Sequence, residues 1–152
     1  MESFATLNRR PEASNESRRS SSRRSSQSQT QIRALLSIRP PYAEAILRGD
    51  KRFEFRRAIF RKKVDVVVVY KTSPACLVVG EFDVVEVMSD SVERLWKRTQ
   101  KYAGIDRPAF FKYFQGCCIG YAIVVGRVRP YQNPLRLDHA FGVRPPQSFV
   151  YV

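Results

Sequence analysis

Histidine is almost missing from this chain: 152 residues contain one, His139. It stands in a loop-like stretch and reads as a surface residue, so a His-driven nucleophile would rest on a single unplaced group. Cysteines number three, Cys76, Cys117 and Cys118, and an odd count with two adjacent builds no disulfide framework. They are expected to pack as small buried hydrophobes. Neither C-x-x-C nor H-E-x-x-H occurs, so a zinc site lacks its ligands and no metal is expected. A G-x-G-x-x-G after the first strand and a P-loop are also missing, and no cofactor is expected. No apolar run approaches the roughly 18 residues that cross a membrane. No apolar secretory segment opens the chain, so a reducing, cytoplasmic setting is expected.

Acidic residues are scarce as well. Asp and Glu total 14 against 27 Lys and Arg, a net charge of +13. Such an excess favours anionic partners, nucleic acid first. Hydrophobic content of 43% is enough for a core, and the length favours one domain with appendages. Residues 1–33 form a different material, rich in serine and in the pairs Arg18-Arg19 and Arg23-Arg24. With few large apolar residues this Ser/Arg-rich tail is expected to be disordered. It is read as a nonspecific nucleic-acid arm or as a solvated extension. Seven arginines and three glutamates give it +4, which leaves +9 on residues 34–152, so the excess is not a tail effect.

The body reads as an α+β unit. Ala34 to Ile38 is a short strand, and Arg39-Pro40-Pro41 turns into a helix from Pro41 to Arg48, with Tyr42, Ala45 and Ile46 inward and Gly49 as its stop. Residues 51–57 alternate Phe53 and Phe55 with Arg52, Glu54 and Arg56, the period of a strand with one apolar and one charged face. Val64 to Tyr70 is β-branched and apolar, a central strand buried on both faces. Cys76 to Met88 is a longer strand, with Gly80 as a bulge. Asp90 and Glu93 have capping-box spacing for a helix through about Tyr102, with Leu95 and Trp96 inward. Asp106 and Pro108 open another helix, ended by Gly116. Ile119 to Val128 is a buried strand, Arg129 to Phe141 shows turns and no period, and Ser148 to Val152 closes as a strand. Close-set strands with few helices between them predict a mostly antiparallel sheet or small barrel with helices packed on it.

From Arg48 to Lys63, eight basic residues face only Asp50 and Glu54. Guanidinium forks match phosphate oxygens, and Phe53, Phe55, Phe60 and Tyr70 lie near enough to stack bases. Basic residues on a strand edge also block aggregation, so a solvated edge is the plainer alternative. Glu81, Asp83 and Glu86 could pair as carboxylates, with 81 and 83 about 7 Å apart on one strand face, or could be solvated edge charges.

Leu36-Ser37-Ile38-Arg39-Pro40, then Ala43-Glu44-Ala45-Ile46-Leu47-x-Gly49-x-Lys51-x-x-Glu54-Phe55-Arg56-Arg57, resembles the opening of an ASCH domain. The likeness continues in Ser73-Pro74, Val79-Gly80-Glu81-Phe82, Phe110-Phe111-x-Tyr113-Phe114-x-Gly116 and Pro145-Pro146-Gln147-Ser148-Phe149. It covers residues 34–152, and G-x-K-x-x-E-x-R is its specific part. The resemblance implies a PUA-like β-barrel with a basic cleft between barrel and helix, suited to RNA or a modified nucleoside. It also implies a place among proteins of RNA binding, or of transcription and translation control. A few members are enzymes, among them a hydrolase of acetylated cytidine and a ribonuclease. Lys51 and Arg56 match the hydrolase pattern, whereas Glu54 stands where that pattern has threonine, and Ala103-Gly104 fall where it has a glutamate.

Two uses of the cleft follow. As a binding module it contacts RNA or a nucleoside, with DNA as a second candidate, through Arg39, Lys51, Arg52, Glu54, Arg56, Lys71 and Ser73. As an enzyme it employs Lys51 as amine or electrostatic stabiliser and Glu54 as general base. A protein-interaction domain with incidental charge is the third reading, and where the eight basic residues point discriminates them.

Overall fold

A computed structural model describes residues 29–152. The tail expectation lies outside the described residues as far as residue 28, and its last residue, Arg33, belongs to a strand. The elements in chain order are β1 (Arg33–Ile38), α1 (Pro40–Arg48), β2 (Phe53–Arg56), β3 (Val66–Lys71), β4 (Leu77–Ser91) and α2 (Val92–Thr99). A 3₁₀ turn (Gln100–Tyr102), α3 (Arg107–Tyr113), β5 (Ile119–Leu135), α4 (Leu137–Phe141) and β6 (Phe149–Tyr151) complete the chain.

The six strands form one sheet in the order β2-β5-β4-β3-β1-β6, curled into a half-barrel. β1 and β3 run parallel, and every other pair is antiparallel, as the mostly antiparallel expectation requires. Val66 to Tyr70 are all buried because β3 lies between β1 and β4 with side chains packed on both faces. Leu36, Val67, Val69 and Phe82 pack with Ile46 of α1 on one face; Leu35, Val68 and Val78 pack with Leu137 of α4 on the other. A separate cluster fills the β2 end, where Phe55 meets Phe110 edge to face at 4.9 Å beside Leu95, Phe114 and Ala122. Bulges on β4 between Val78 and Gly80, and again between Phe82 and Val87, bend the sheet. Gly80 sits where a Cβ would come within 2.8 Å of the Arg129 carbonyl and 3.0 Å of Leu47 Cδ2, so glycine lets α1 close onto the bend.

Several expectations change. Arg129 to Leu135 continues β5 along the long β4, and Leu137–Phe141 is helical with exposed His139 on it. Pro130, Pro134 and a largely exposed burial pattern hide the strand period there. Ser91, not Asp90, caps α2 by accepting from the Arg94 N–H, while Asp90 pairs with the Arg94 and Arg98 side chains. The α-helix stops at Thr99 and tightens into the 3₁₀ turn. Cys76 and Cys118 are exposed and Cys117 half-buried, since all three fall in connections rather than on core faces. Glu81 and Asp83 are not solvated edge charges, because β4 is an inner strand and Arg129 bridges both, at 2.9 and 2.7 Å.

Phe82 is fully buried at the centre of the sheet, whereas Val85 is 67% exposed. Phe82→Ala is expected to lower unfolding free energy in urea by roughly 3–5 kcal/mol. Val85→Thr should change it by no more than about 0.5 kcal/mol.

Candidate functional site

The approach to β2 is fixed by the end of α1. Gly49 adopts a left-handed φ of 87°, and the Asp50 and Lys51 N–H groups both turn back to the Ala45 carbonyl, at 2.9 and 3.1 Å. The next residue is pinned from two sides: Arg52 N–H donates to the Tyr102 carbonyl, and the Arg52 carbonyl accepts from Val125 N–H. Lys51 is thus held between α1, β2 and the segment after the 3₁₀ turn, with a side chain only 2% exposed. Its Nζ donates to the Ala103 carbonyl at 2.7 Å and lies 4.0 Å from Glu54 Oε2. It also sits over two rings, 4.6 Å from the Phe55 centroid and 5.3 Å from that of Tyr42. Gly104 makes this possible. Its φ is +63°, and a Cβ would lie 2.5 Å from Lys51 Cβ, so only glycine leaves room for the lysine stem.

Glu54 is shared. Its Oε1 lies 3.3 Å from Arg56 Nη2, which also donates to the Ser37 carbonyl at 3.0 Å. Arg56 Nε is buried and has no acceptor among the described residues. Because Glu54 and Phe55 are both buried, β2 does not divide into an apolar face and a solvated charged face. The charged side is enclosed by the 3₁₀ turn, α1 and β1. Side-chain exposures of 9% for Glu54 and 11% for Arg56 leave those two as the outer members, with Lys51 behind them.

Burial dominates the electrostatics of Lys51. Loss of solvent pushes its amine down to about 8, Glu54 pulls it partly back, and the Arg56 charge lowers it further. Burial raises the Tyr113 phenol, opposed by Arg56 and reinforced by Glu54, and its hydroxyl donates to the Phe55 carbonyl at 3.2 Å. A carboxylate between two basic groups, one of them an amine lowered to about 8, can hold an anionic oxygen, accept from an amino group, or move a proton.

The other expected residues scatter. Arg52 is exposed, with its guanidinium 4.2 Å above the Tyr102 ring. Lys71 ends β3 and lies 3.4 Å from Glu44 on the outer side of α1. Ser73 is exposed in the turn beyond, and exposed Arg39 precedes α1. Arg48 pairs with Asp50, Arg57 turns to Gln115 and Cys117, and Arg61 and Lys62 cap the Tyr151 hydroxyl through their N–H groups. The eight basic residues therefore do not form one concave field. Two open hollows of about 420 Å³ lie by Phe60–Asp65 and by Cys76–Leu137, and neither includes the cluster. Sequence reasoning missed the Ala103 and Ser37 carbonyls, the Tyr42 ring and Tyr113. Backbone acceptors leave no mark in residue identity, although Tyr113 lay within the matched motif and Tyr42 was read as a buried residue of the helix.

The ASCH domain family profile matches residues 36–135. A Zymomonas mobilis protein named ASCH domain-containing ribonuclease is 29% identical over 124 residues, covering 78% of this chain and 83% of that one. The large ribosomal subunit protein uL22 of Ureaplasma parvum is also similar, 29% identical over 119 residues, and here the chain spans only 38% of the relative's length. The crystal structure of ASCH from Zymomonas mobilis superposes with a TM-score of 0.73 at 28% identity, over 79% of this chain and 87% of that one.

Between about 8 and its ordinary 10.5, Lys51 is neutral in the fold and charged in the unfolded chain. The unfolded chain then binds more protons, so stability from this group rises with pH across that window, by up to about 3 kcal/mol. Lys51→Met, which leaves Glu54 paired with Arg56, should flatten the rise in urea midpoint measured between pH 8 and 10. An unaltered slope would remove Lys51 as its source.

Proposed function

The chain belongs to the ASCH domain family, and from that footing we propose that it binds RNA, or a modified nucleoside, at the Lys51–Glu54–Arg56 cluster. The observation that carries this reading is an imbalance. A buried and a mostly enclosed basic side chain share one carboxylate, and the buried Arg56 Nε donor has no acceptor among the described residues. A buried donor without a partner costs about 1–3 kcal/mol, which a phosphate or base oxygen would recover. Glu54 accepts from an exocyclic amino group, as carboxylates do toward cytosine. Arg39, Arg52, Lys71 and Ser73 are the outer candidates for phosphate contacts. DNA offers the same phosphates and is distinguished by competition, since only RNA carries the 2′-hydroxyl.

Lys51→Ala and Arg56→Ala are each expected to weaken RNA binding at least tenfold, about 1.4 kcal/mol, with wild-type affinity falling steeply as salt rises. Filter binding checks this, with circular dichroism to confirm folding. An affinity insensitive to salt and to both substitutions would refute the reading.

A hydrolytic second reading is favoured by the lowered Lys51 amine and by the likeness to the Zymomonas protein named a ribonuclease. Lys51 would stabilise developing negative charge and Glu54 would take the proton. Incubation with RNA and with modified nucleosides tests it: turnover by wild type should disappear in Glu54→Gln. Turnover that survives removes Glu54 from the chemistry.

A further inference from the structure

We propose that the helical layer formed by α2, the 3₁₀ turn and α3 is an extended contact surface for single-stranded RNA flanking the nucleotide at the Lys51 cluster. The inference rests on that RNA-binding reading and adds a second region to it. Two guanidinium groups lie over half-buried rings of this layer, Arg52, just before β2, at 4.2 Å from the Tyr102 centroid and Arg107 at 5.0 Å from that of Phe111. Both arginines are exposed, so each ring stiffens a planar cation whose outer side meets solvent. Unpaired bases stack on such guanidinium planes as they do on aromatic rings. The Arg52–Tyr102 stack adjoins the cluster, because Arg52 follows Lys51 and donates its N–H to the Tyr102 carbonyl. Phe111 lies 6.2 Å from Trp96 of α2, which ties the second stack to the same layer.

Charge in the layer suits a polyanion. Residues 92–115 carry six basic and two acidic side chains, and one of the acids, Asp106, is engaged in capping the Ala109 N–H. Asp90 pairs with both Arg94 and Arg98 and offsets one of their two charges. Arg52, Lys97, Lys101, Arg107 and Lys112 remain exposed, with no carboxylate in ion-pair range among the described residues. Lysine point charges that track phosphates, beside flat arginine–ring stacks, favour a single strand, because a duplex keeps its bases inside the stack.

The test uses the whole chain and a labelled single-stranded RNA of about 12 nucleotides. Lys101→Glu/Arg107→Glu should lower affinity by about tenfold or more and flatten the salt dependence. Arg56→Ala measures the cluster on the same probe, and the two losses should add. Arg107→Lys keeps the charge and loses the plane; it should still lose affinity by about threefold. The chain has one tryptophan, Trp96, so quenching of its fluorescence by the RNA in wild type and not in Arg107→Lys reports on the second stack. Wild-type affinity in the charge-reversed variant, or equal binding of a polyglutamate peptide, overturns the proposal. Unchanged quenching in Arg107→Lys overturns its stacking component. Wild-type affinity in Arg56→Ala alone refutes the cluster reading instead, and no binding by the wild type refutes both.

Discussion

Arg56 reaches across the mouth of the half-barrel, and the candidate site depends on that reach. Its strand, β2, is one edge of the sheet; its acceptor, the Ser37 carbonyl, lies on β1 near the other edge. Ser37 is itself tied to the C-terminal segment, through its N–H to the Ser148 carbonyl and its hydroxyl to the Pro146 carbonyl. Lys51 adds a link to the helical layer through the Ala103 carbonyl. One buried charge cluster thus joins β2, β1, the C-terminal segment and the layer beneath α2. Removing Glu54 from such a cluster leaves two cations without a carboxylate, which costs far more than an exposed ion pair contributes.

A second charged network shows what a balanced one looks like. Glu81 receives Arg33, Arg129 and the Tyr131 hydroxyl, and Arg129 also reaches Asp83. Burial pushes the Glu81 carboxyl up, but the Tyr131 and Arg129 hydrogen bonds and the Arg33 charge outweigh it and hold it below its usual range. Two carboxylates face two guanidiniums, and the network fastens β1, β4 and β5 with nothing left over. The Lys51 cluster has the opposite character, one carboxylate to two cations and a buried donor unpaired. Surplus positive charge in a nearly dry place is a property of a binding or catalytic site more than of a fastening.

Legibility from sequence followed the range of the interaction. Gly49 as a helix stop, Asp106 as a cap and the buried Val66 to Tyr70 strand were readable, because each depends on neighbours within a few residues or on one periodicity. The triad of Lys51, Glu54 and Arg56 was readable as residue types at a spacing. Its burial was not: alternation along β2 places Glu54 opposite Phe55, yet the segment after the 3₁₀ turn closes over the charged side. The cysteines failed for a related reason, since composition ranks them as core residues while their positions in connections expose them. Arg129–Leu135 failed because an exposed, proline-bearing strand has no apolar period to read.

The sequence by itself determined most elements of the body, the mostly antiparallel mixed architecture and the basic surplus, because these follow from local propensity, periodicity and composition. Tertiary structure alone decided that basic residues close in sequence part company, Arg57 to Cys117, Arg56 to Ser37 and Lys51 into the interior. It also decided that Lys51 titrates at about 8. Both depend on contacts between separate elements, and the second above all on the exclusion of water around the amine, which no residue's identity specifies and only packing brings about.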